Sequence, residues 1–342
     1  MSDQMQHITL ASRPFGVPVA ENFALETAPI PTPGDGEVLV RVQYMSLDPY
    51  MRGRMDDAKS YAAPVPIGGT MEAGGVGEVI ASNSPAFTPG DIAFGMFGWS
   101  THGCLAAGEL RKLDPSHGPI TAALGVLGMP GFTGWYGLTE LGRPKAGETL
   151  VVAAATGPVG SMVGQVARQA GLRTLGIAGG AEKCALAVDM FGFDACIDHR
   201  AFETASELRK AIAAECPKGI DIYFENVGGK VFEAVLPLMN TFGRIPVCGM
   251  ISGYNLTEAP SGPDRLPMLW RSVLIKHLSI NGFIISNHFD RYPEFLGTIG
   301  PKVASGDIAV LEDIAEGLEN APAAFIRLLT GGNKGKQIVK LT

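Results

Sequence analysis

Residues 150–160 read Leu150-Val151-Val152-Ala153-Ala154-Ala155-Thr156-Gly157-Pro158-Val159-Gly160. The run 150–155 is apolar throughout, as a strand buried on both faces must be. Val159, Val163, Val166, Ala167 and Ala170 then recur at helical spacing as far as Gly171. Between the two, residues 155–160 form a G-x-G-x-x-G loop in which Ala155 takes the first glycine. A lone match of this kind is often a plain strand-to-helix turn. Here a buried strand precedes it and an amphipathic helix follows, the context in which it holds a dinucleotide. Gly157 lets the backbone approach a pyrophosphate, Pro158 and Val159 open the helix, and Gly160 lets the helix pack against the strand. The opening amides and the helix dipole then face the phosphates.

Outward from this loop the same grammar repeats. Apolar runs at 174–178, 196–198, 221–225 and 244–248 alternate with helix-length segments at 182–191 and 231–239, and 279–284 offers a sixth strand. Alternation of this kind specifies an α/β fold with a doubly wound parallel sheet. Further on, 311–329 reads as helix and 337–341 as a closing strand that returns to the first domain.

Toward the N-terminus the pattern is β. Val38, Val40 and Val42 alternate, and Gly68-Gly69, Gly74-Gly75 and Pro89-Gly90-Asp91 punctuate short apolar runs at 76–80 and 92–97. Strands at that spacing suggest a small barrel or sandwich. The expected domains are therefore 1–126 with 305–342, and 127–304.

The cofactor's identity turns on the end of the second strand. An NAD site places an acid there for the ribose hydroxyls, whereas this chain reads Ala178-Gly179-Gly180-Ala181-Glu182-Lys183. No acid occupies the tip. Lys183 can meet a 2′-phosphate as a point charge, Glu182 is the competing ribose ligand, and NADP is the preferred reading.

Composition narrows the partners. The 342 residues are 46% hydrophobic and 18% charged, with a net charge of −7. That is globular, and it argues against nucleic acid, which wants a basic face. No Lys/Arg run exceeds two residues, which speaks against a membrane surface. The most apolar stretch, 120–138, is broken by Pro130 and repeated glycines and reads as buried loop and helix. Cys104, Cys184, Cys196, Cys216 and Cys248 are scattered without a C-x-x-C pair, as in a reducing compartment. Met1-Ser2-Asp3-Gln4 lacks signal-peptide character, so the expected location is cytoplasmic.

Residues 125–138, followed by the dinucleotide loop, resemble the medium-chain reductase superfamily. The finer resemblance is to its prostaglandin reductase, leukotriene B4 12-hydroxydehydrogenase, alkenal double-bond reductase and curcumin reductase branch. It rests also on Asp48-Pro49-Tyr50-Met51-Arg52, Glu225-Asn226-Val227-Gly228-Gly229, Cys248-Gly249-Met250-Ile251-Ser252-Gly253-Tyr254-Asn255 and Gly332-Asn333-Lys334-Gly335-Lys336. The resemblance implies a GroES-like catalytic domain, a Rossmann NADP-binding domain and usually a homodimer. It implies that Lys183 holds the 2′-phosphate and that Gly157, Pro158, Val159 and Gly160 bind pyrophosphate. Asn226, Cys248, Gly249, Met250, Ile251, Ser252 and Tyr254 would line the cofactor, as would Phe283, Ile284, Ile285 and Asn333. Met129 and Thr133 would lie near the nicotinamide. One departure stands out: where the family often has a tyrosine near the adenosine ribose, this chain reads Asp198-His199-Arg200.

The zinc enzymes of the superfamily carry a His-Glu pair where this chain has Met71-Glu72, and only Cys104 falls between residues 60 and 180. A thioether is a poor zinc ligand, and His7, His102, His117, His199, His277 and His288 show no metal spacing. No metal is expected. Hydride addition to Cβ of an enone or enal needs only a hydroxyl donor for the developing enolate. Tyr254 is the candidate, and Tyr50 the second. A packing role competes with each. Phe97, Trp99, Trp270 and Phe289 are either pocket walls or core. The rival functions are an NADPH quinone reductase and a non-catalytic NADPH-binding sensor.

Overall fold

In a computed structural model, which describes residues 4–114, 118–260 and 262–341, the chain begins with β1 (Gln4–Leu10), β2 (Phe23–Pro29) and β3 (Glu37–Ser46). It continues through α1 (Met51–Arg54), β4 (Gly75–Ser82), β5 (Ile92–Gly95), β6 (His102–Ala106) and β7 (Arg111–Leu113). Then follow α2 (Met129–Tyr136), β8 (Thr149–Ala153), α3 (Pro158–Gln169), β9 (Arg173–Ala178), α4 (Ala181–Asp189), β10 (Ala195–Asp198) and α5 (Ala205–Glu215). Next are β11 (Ile220–Phe224), α6 (Gly229–Val235), β12 (Met239–Val247), α7 (Leu266–Lys276), β13 (Ser279–Gly282) and α8 (Tyr292–Ala304). The chain closes with β14 (Glu312–Glu316), α9 (Ala321–Leu329) and β15 (Lys336–Lys340). His117 and the N-terminal Met1, Ser2 and Asp3 lie outside the described residues.

Two compact units divide the chain, Met1–Gly128 with Glu312–Thr342, and Met129–Leu311. In the first, the valine alternation does what period two requires: Val38, Val40 and Val42 are fully buried, against Val79, Ala93 and Phe97. The sheet order is β14-β15-β3-β4-β5-β7, with β6 also on β3. The closing strand returns to this unit as expected, Ile338 lying antiparallel opposite Ser46. A second apolar cluster gathers Ile8, Met45, Leu47, Met71 and Trp99 under α9. There Trp99 stacks on Phe23 at 5.4 Å. This is the GroES-like unit.

The second unit is a six-stranded parallel sheet in the order β10-β9-β8-β11-β12-β13, the Rossmann order. Alternate residues of one strand serve opposite faces. Val151 and Ala153 pack with Leu208 and Ile212 of α5 and Val231 of α6. Leu150 and Val152 pack with Val163 and Ala167 of α3 and Ala187 of α4. Each such valine, leucine or isoleucine contributes about 1.5–3 kcal/mol by leaving water. No helix among the described residues is long and apolar enough to cross a membrane.

Two expectations change. Residues 311–329 are not one helix. Glu312–Glu316 is a strand parallel to β15, and Gly317, at φ 85°, turns the chain out of it. Pro322, in the first turn of α9, then opens a helix with the φ that position favours. The expected return to the first unit at 304/305 also moves, to 311/312. Gln165 of α3 holds this stretch on the Rossmann unit: its Nε2 donates to the Ala309 carbonyl at 3.2 Å, and its Oε1 accepts from the Ala309 amide at 2.7 Å.

Candidate active site

The carboxyl ends of the parallel strands set the site. After β8 the chain turns at Ala154, whose φ of 53° is left-handed. Gly157 is the N-cap of α3 and no side chain caps the helix. At Gly160 a Cβ would stand 2.9 Å from the Ala154 carbonyl carbon, and closer still to its oxygen. Only glycine fits there, so loop and helix lie in direct backbone contact.

At the next strand end Gly180, φ 102°, is the N-cap of α4, which puts Glu182 and Lys183 in the first turn. No acid ends β9 itself, but the neighbouring strand brings one to the Gly180 amide. Asp198, ending β10, accepts from the Gly180 amide at 2.8 Å and from the Arg200 amide at 2.9 Å. Burial opposes its charge, yet these two amides hold its carboxyl below the usual range. The Arg200 side chain lies over Gly179, where a Cβ would meet its Nε at 2.8 Å. Lys230 of α6 donates to the His199 carbonyl at 2.9 Å and to the Phe202 carbonyl at 2.5 Å. Burial, then Lys230, Arg200 and Lys183, depress the His199 imidazole; Asp198 opposes them. Sequence reading gave Lys230 no part. Its place directly after Gly228-Gly229, opening a helix, was the available signal.

Beyond β11 the buried Glu225 organises the loop. Its Oε1 accepts from the Val227 amide at 2.6 Å, the Gly228 amide at 2.8 Å and the Tyr223 hydroxyl at 3.0 Å. Burial nonetheless pushes its carboxyl up. The Asn226 amide group donates to the Ala153 carbonyl at 2.8 Å, tying this loop to β8. Beyond β12, Ser252 donates to the Val227 carbonyl at 2.6 Å, and the Cys248 and Gly249 amides donate to the Glu225 carbonyl. Burial and then Glu225 push the Cys248 thiol up to about 12, so it stays a protonated thiol. The Tyr254 hydroxyl accepts from the Met250 amide at 3.4 Å and stands over Gly249, 3.0 Å from where a Cβ would be. Beyond β13, Phe283 packs on Tyr136 at 5.9 Å, followed by half-buried Ile284 and buried Ile285. On α2 the Thr133 hydroxyl donates to the Met129 carbonyl at 2.7 Å, so it is spent within its own helix.

Tyr50 and Asn333 belong to the first unit. Tyr50 precedes α1, with the Arg54 guanidinium 5.7 Å from its ring centroid. Burial, then Asp48 and Glu72, push its phenol far above the ordinary value, outweighing Arg54, so it stays protonated. The segment is anchored by Lys336, whose Nζ donates to Asp48 and to the Leu47 carbonyl, each at 2.7 Å. Asp48 also accepts from Ser46. Asn333 is buried and donates to the Gly335 carbonyl at 2.8 Å. Met71 lies wholly in the apolar core, and Glu72 pairs with Arg54 at 3.2 Å. Phe97 and Trp99 are core residues, whereas Trp270 and Phe289 are exposed.

The residues fit a dinucleotide. Gly157, Gly179, Gly228 and Gly249 follow the carboxyl ends of four adjacent strands, β8, β9, β11 and β12, with an uncapped helix start at Gly157. Cations gather at the β9 and β10 ends, where a 2′-phosphate would sit. Among the described residues no group of three or more His, Cys, Asp or Glu side chains is placed to hold a metal ion.

Comparison with known proteins agrees with this geometry. A model described as the N-terminal domain of oxidoreductase matches residues 6–113, and one described as zinc-binding dehydrogenase matches residues 158–299. The NADPH-dependent curcumin reductase of Escherichia coli K12 is 54% identical over 97% of this chain and 95% of its own. The NADP(+)-dependent 2-alkenal reductase of Nicotiana tabacum is 40% identical over 90% of this chain and 88% of its own. CurA of Vibrio vulnificus, solved in complex with NADPH, superposes with a TM-score of 0.93 at 53% identity, covering 98% of this chain and 99% of that one. With a Rossmann sheet, a GroES-like unit and relatives of this similarity along nearly its whole length, the chain belongs to the medium-chain dehydrogenase/reductase superfamily, in the zinc-independent branch of curcumin, alkenal and prostaglandin reductases.

Proposed function

We propose that this protein is an NADPH-dependent reductase of the carbon–carbon double bond of α,β-unsaturated aldehydes and ketones, in which Tyr254 stabilises the enolate. Bound NADPH supplies a hydride for Cβ. The amides opening α3 at Val159 and Gly160 receive the pyrophosphate. Lys183, His199 and Arg200 meet the 2′-phosphate. Asn226 and the 248–252 loop position the nicotinamide half together with Phe283, Ile284 and Ile285, with Met129, Thr133 and Asn333 as further contacts. The Tyr254 hydroxyl donates to the carbonyl oxygen as negative charge develops there, and water protonates Cα.

The observation that carries this reading is the Met250 amide donating to the Tyr254 oxygen over Gly249. An oxygen that accepts one bond releases its own proton into the next bond more readily. The loop also lies at a strand carboxyl end, where ligands of such sheets gather. Tyr50, held protonated, is the second candidate donor.

Steady-state turnover of a simple enal and a simple enone by Tyr254→Phe, with Tyr50→Phe beside it, tests the assignment. Loss of one oxyanion donor costs about 10²–10³ in kcat. Unchanged turnover by Tyr254→Phe removes it from the mechanism. Quinone turnover without enal turnover would replace the substrate assignment by the quinone reductase reading.

We also read the chain as a homodimer. Helix α7, which packs against β12, exposes Leu266, Trp270, Leu274 and Ile275, and β13 is the terminal strand of its sheet, an edge that a second copy can cover. Five free cysteines support a reducing, cytoplasmic location.

A further inference from the structure

We propose that His199 couples binding of a 2′-phosphate at the β9–β10 edge to uptake of a proton, so that preference for the phosphorylated nucleotide strengthens as pH falls. The proposal rests on the cofactor reading above and adds to it a titrating recognition group.

The geometry fixes the imidazole's backbone at both ends. Asp198 ties the start of the turn to the amides of Gly180 and Arg200. Lys230 ties its far side through the carbonyls of His199 and Phe202. His199 is half-buried and follows directly on the strand end where the Arg200 guanidinium lies over Gly179. The charged groups acting on it come from four elements: Lys183 from α4, Lys230 from α6, Arg200 from its own turn and Asp198 from β10. Three cations stand against one carboxylate, and that carboxylate is already engaged by two amides. In the free protein the surroundings favour the neutral ring.

A phosphate monoester carries about −1.5 to −2 charge. Placed among these groups it reverses the local sign and favours imidazolium, which then donates a charge-assisted hydrogen bond. The sign follows from linkage. The imidazole titrates lower in the free protein than in the complex, so the added affinity is fully present below the free-protein value. It is lost as pH rises through the value in the complex. Between the two, Kd rises up to about tenfold per pH unit. The free nucleotide's phosphate ionises near pH 6 whichever protein it meets, so the proton exchange that differs between native protein and variant belongs to His199 and its coupling to the phosphate.

Calorimetric titration with acid-stable NADP+ and with NAD+, between pH 6 and 8.5 in buffers of different ionisation enthalpy, reads both affinity and protons exchanged. The expected result is proton uptake with NADP+ by the native protein relative to His199→Gln, a Kd slope that flattens in the variant, and no such difference with NAD+. Equal proton exchange in both proteins overturns the proposal. Should the variant fold poorly, nuclear magnetic resonance titration of the native imidazole with and without adenosine 2′,5′-bisphosphate decides: an upward shift in the complex sustains the proposal, and an unmoved ring overturns it. If NADP+ fails to bind at any pH, the cofactor reading itself falls, and the proposal with it.

Discussion

Replacing Gly160 by alanine should separate what the dinucleotide loop does for folding from what it does for binding. The added methyl would stand 2.9 Å from the Ala154 carbonyl carbon and 3.0 Å from the Ala155 Cα. Carbon atoms settle about 3.5–4.0 Å apart, so α3 must move from its strand by roughly 0.6–1 Å. All the obstructing atoms are backbone, and no side chain can swing aside. Overpacking of this kind costs about 1–3 kcal/mol, offset in part by the helix preference of alanine, up to about 1 kcal/mol. The displacement also pulls the opening amides off the pyrophosphate. Loss of one charge-assisted bond, about 1.5–3 kcal/mol, weakens NADPH binding roughly ten- to hundredfold. Gly157→Ala is the control. Its φ of −70° suits alanine, and its Cβ would meet only the Ala154 oxygen at 3.4 Å, an ordinary contact. That methyl disturbs the ligand's approach and leaves the fold intact. Thermal unfolding and NADPH fluorescence titration should show both properties falling in Gly160→Ala, with Tm down by about 2–4 °C per kcal/mol lost. In Gly157→Ala only the affinity should fall. Native affinity in Gly157→Ala, or an unfolding temperature unmoved in Gly160→Ala, would refute the reasoning.

Lys336→Met should cost about 3–5 kcal/mol in urea unfolding, because it strands the buried Asp48 carboxylate, and adding Asp48→Asn should recover most of the loss. Burial depresses the Lys336 ammonium against the pull of Asp48 and Glu312. The unfolded chain therefore holds more protons between that depressed value and the ordinary one, so native stability should rise with pH across this interval and the rise should vanish in Lys336→Met. Trp270→Glu, on an exposed helix face, should convert a dimer to monomers in sedimentation experiments; an unaltered assembly would move the interface elsewhere.

The Rossmann half was legible because strands such as 150–155 and 174–178 are short apolar runs followed closely by glycine, and the loop at 155–160 has little other use in that setting. The return of 337–341 to the first unit was likewise readable. The helix expected over 311–329 failed because Glu312–Glu316 takes its form from the ladder with β15, a partner that local spacing does not reveal. Trp99 and Phe97 could not be sorted from Trp270 and Phe289 by residue type, since only packing distinguishes core from surface. Lys230 and Asp198 were missed as organisers because each acts on backbone groups of another loop, Lys230 on the His199 and Phe202 carbonyls and Asp198 on the Gly180 amide, pairings that local sequence does not mark.

The Asp198 carboxylate, clamped between the tips of two adjacent strands, bears on how such an enzyme's coenzyme choice could be re-engineered. A carboxylate already stands at this edge, one strand further out than the acid a non-phosphorylated nucleotide would use, held by the Gly180 and Arg200 amides with the Arg200 guanidinium acting on it. Conversion would then proceed by subtraction, stripping cations from around a carboxylate that need not be introduced.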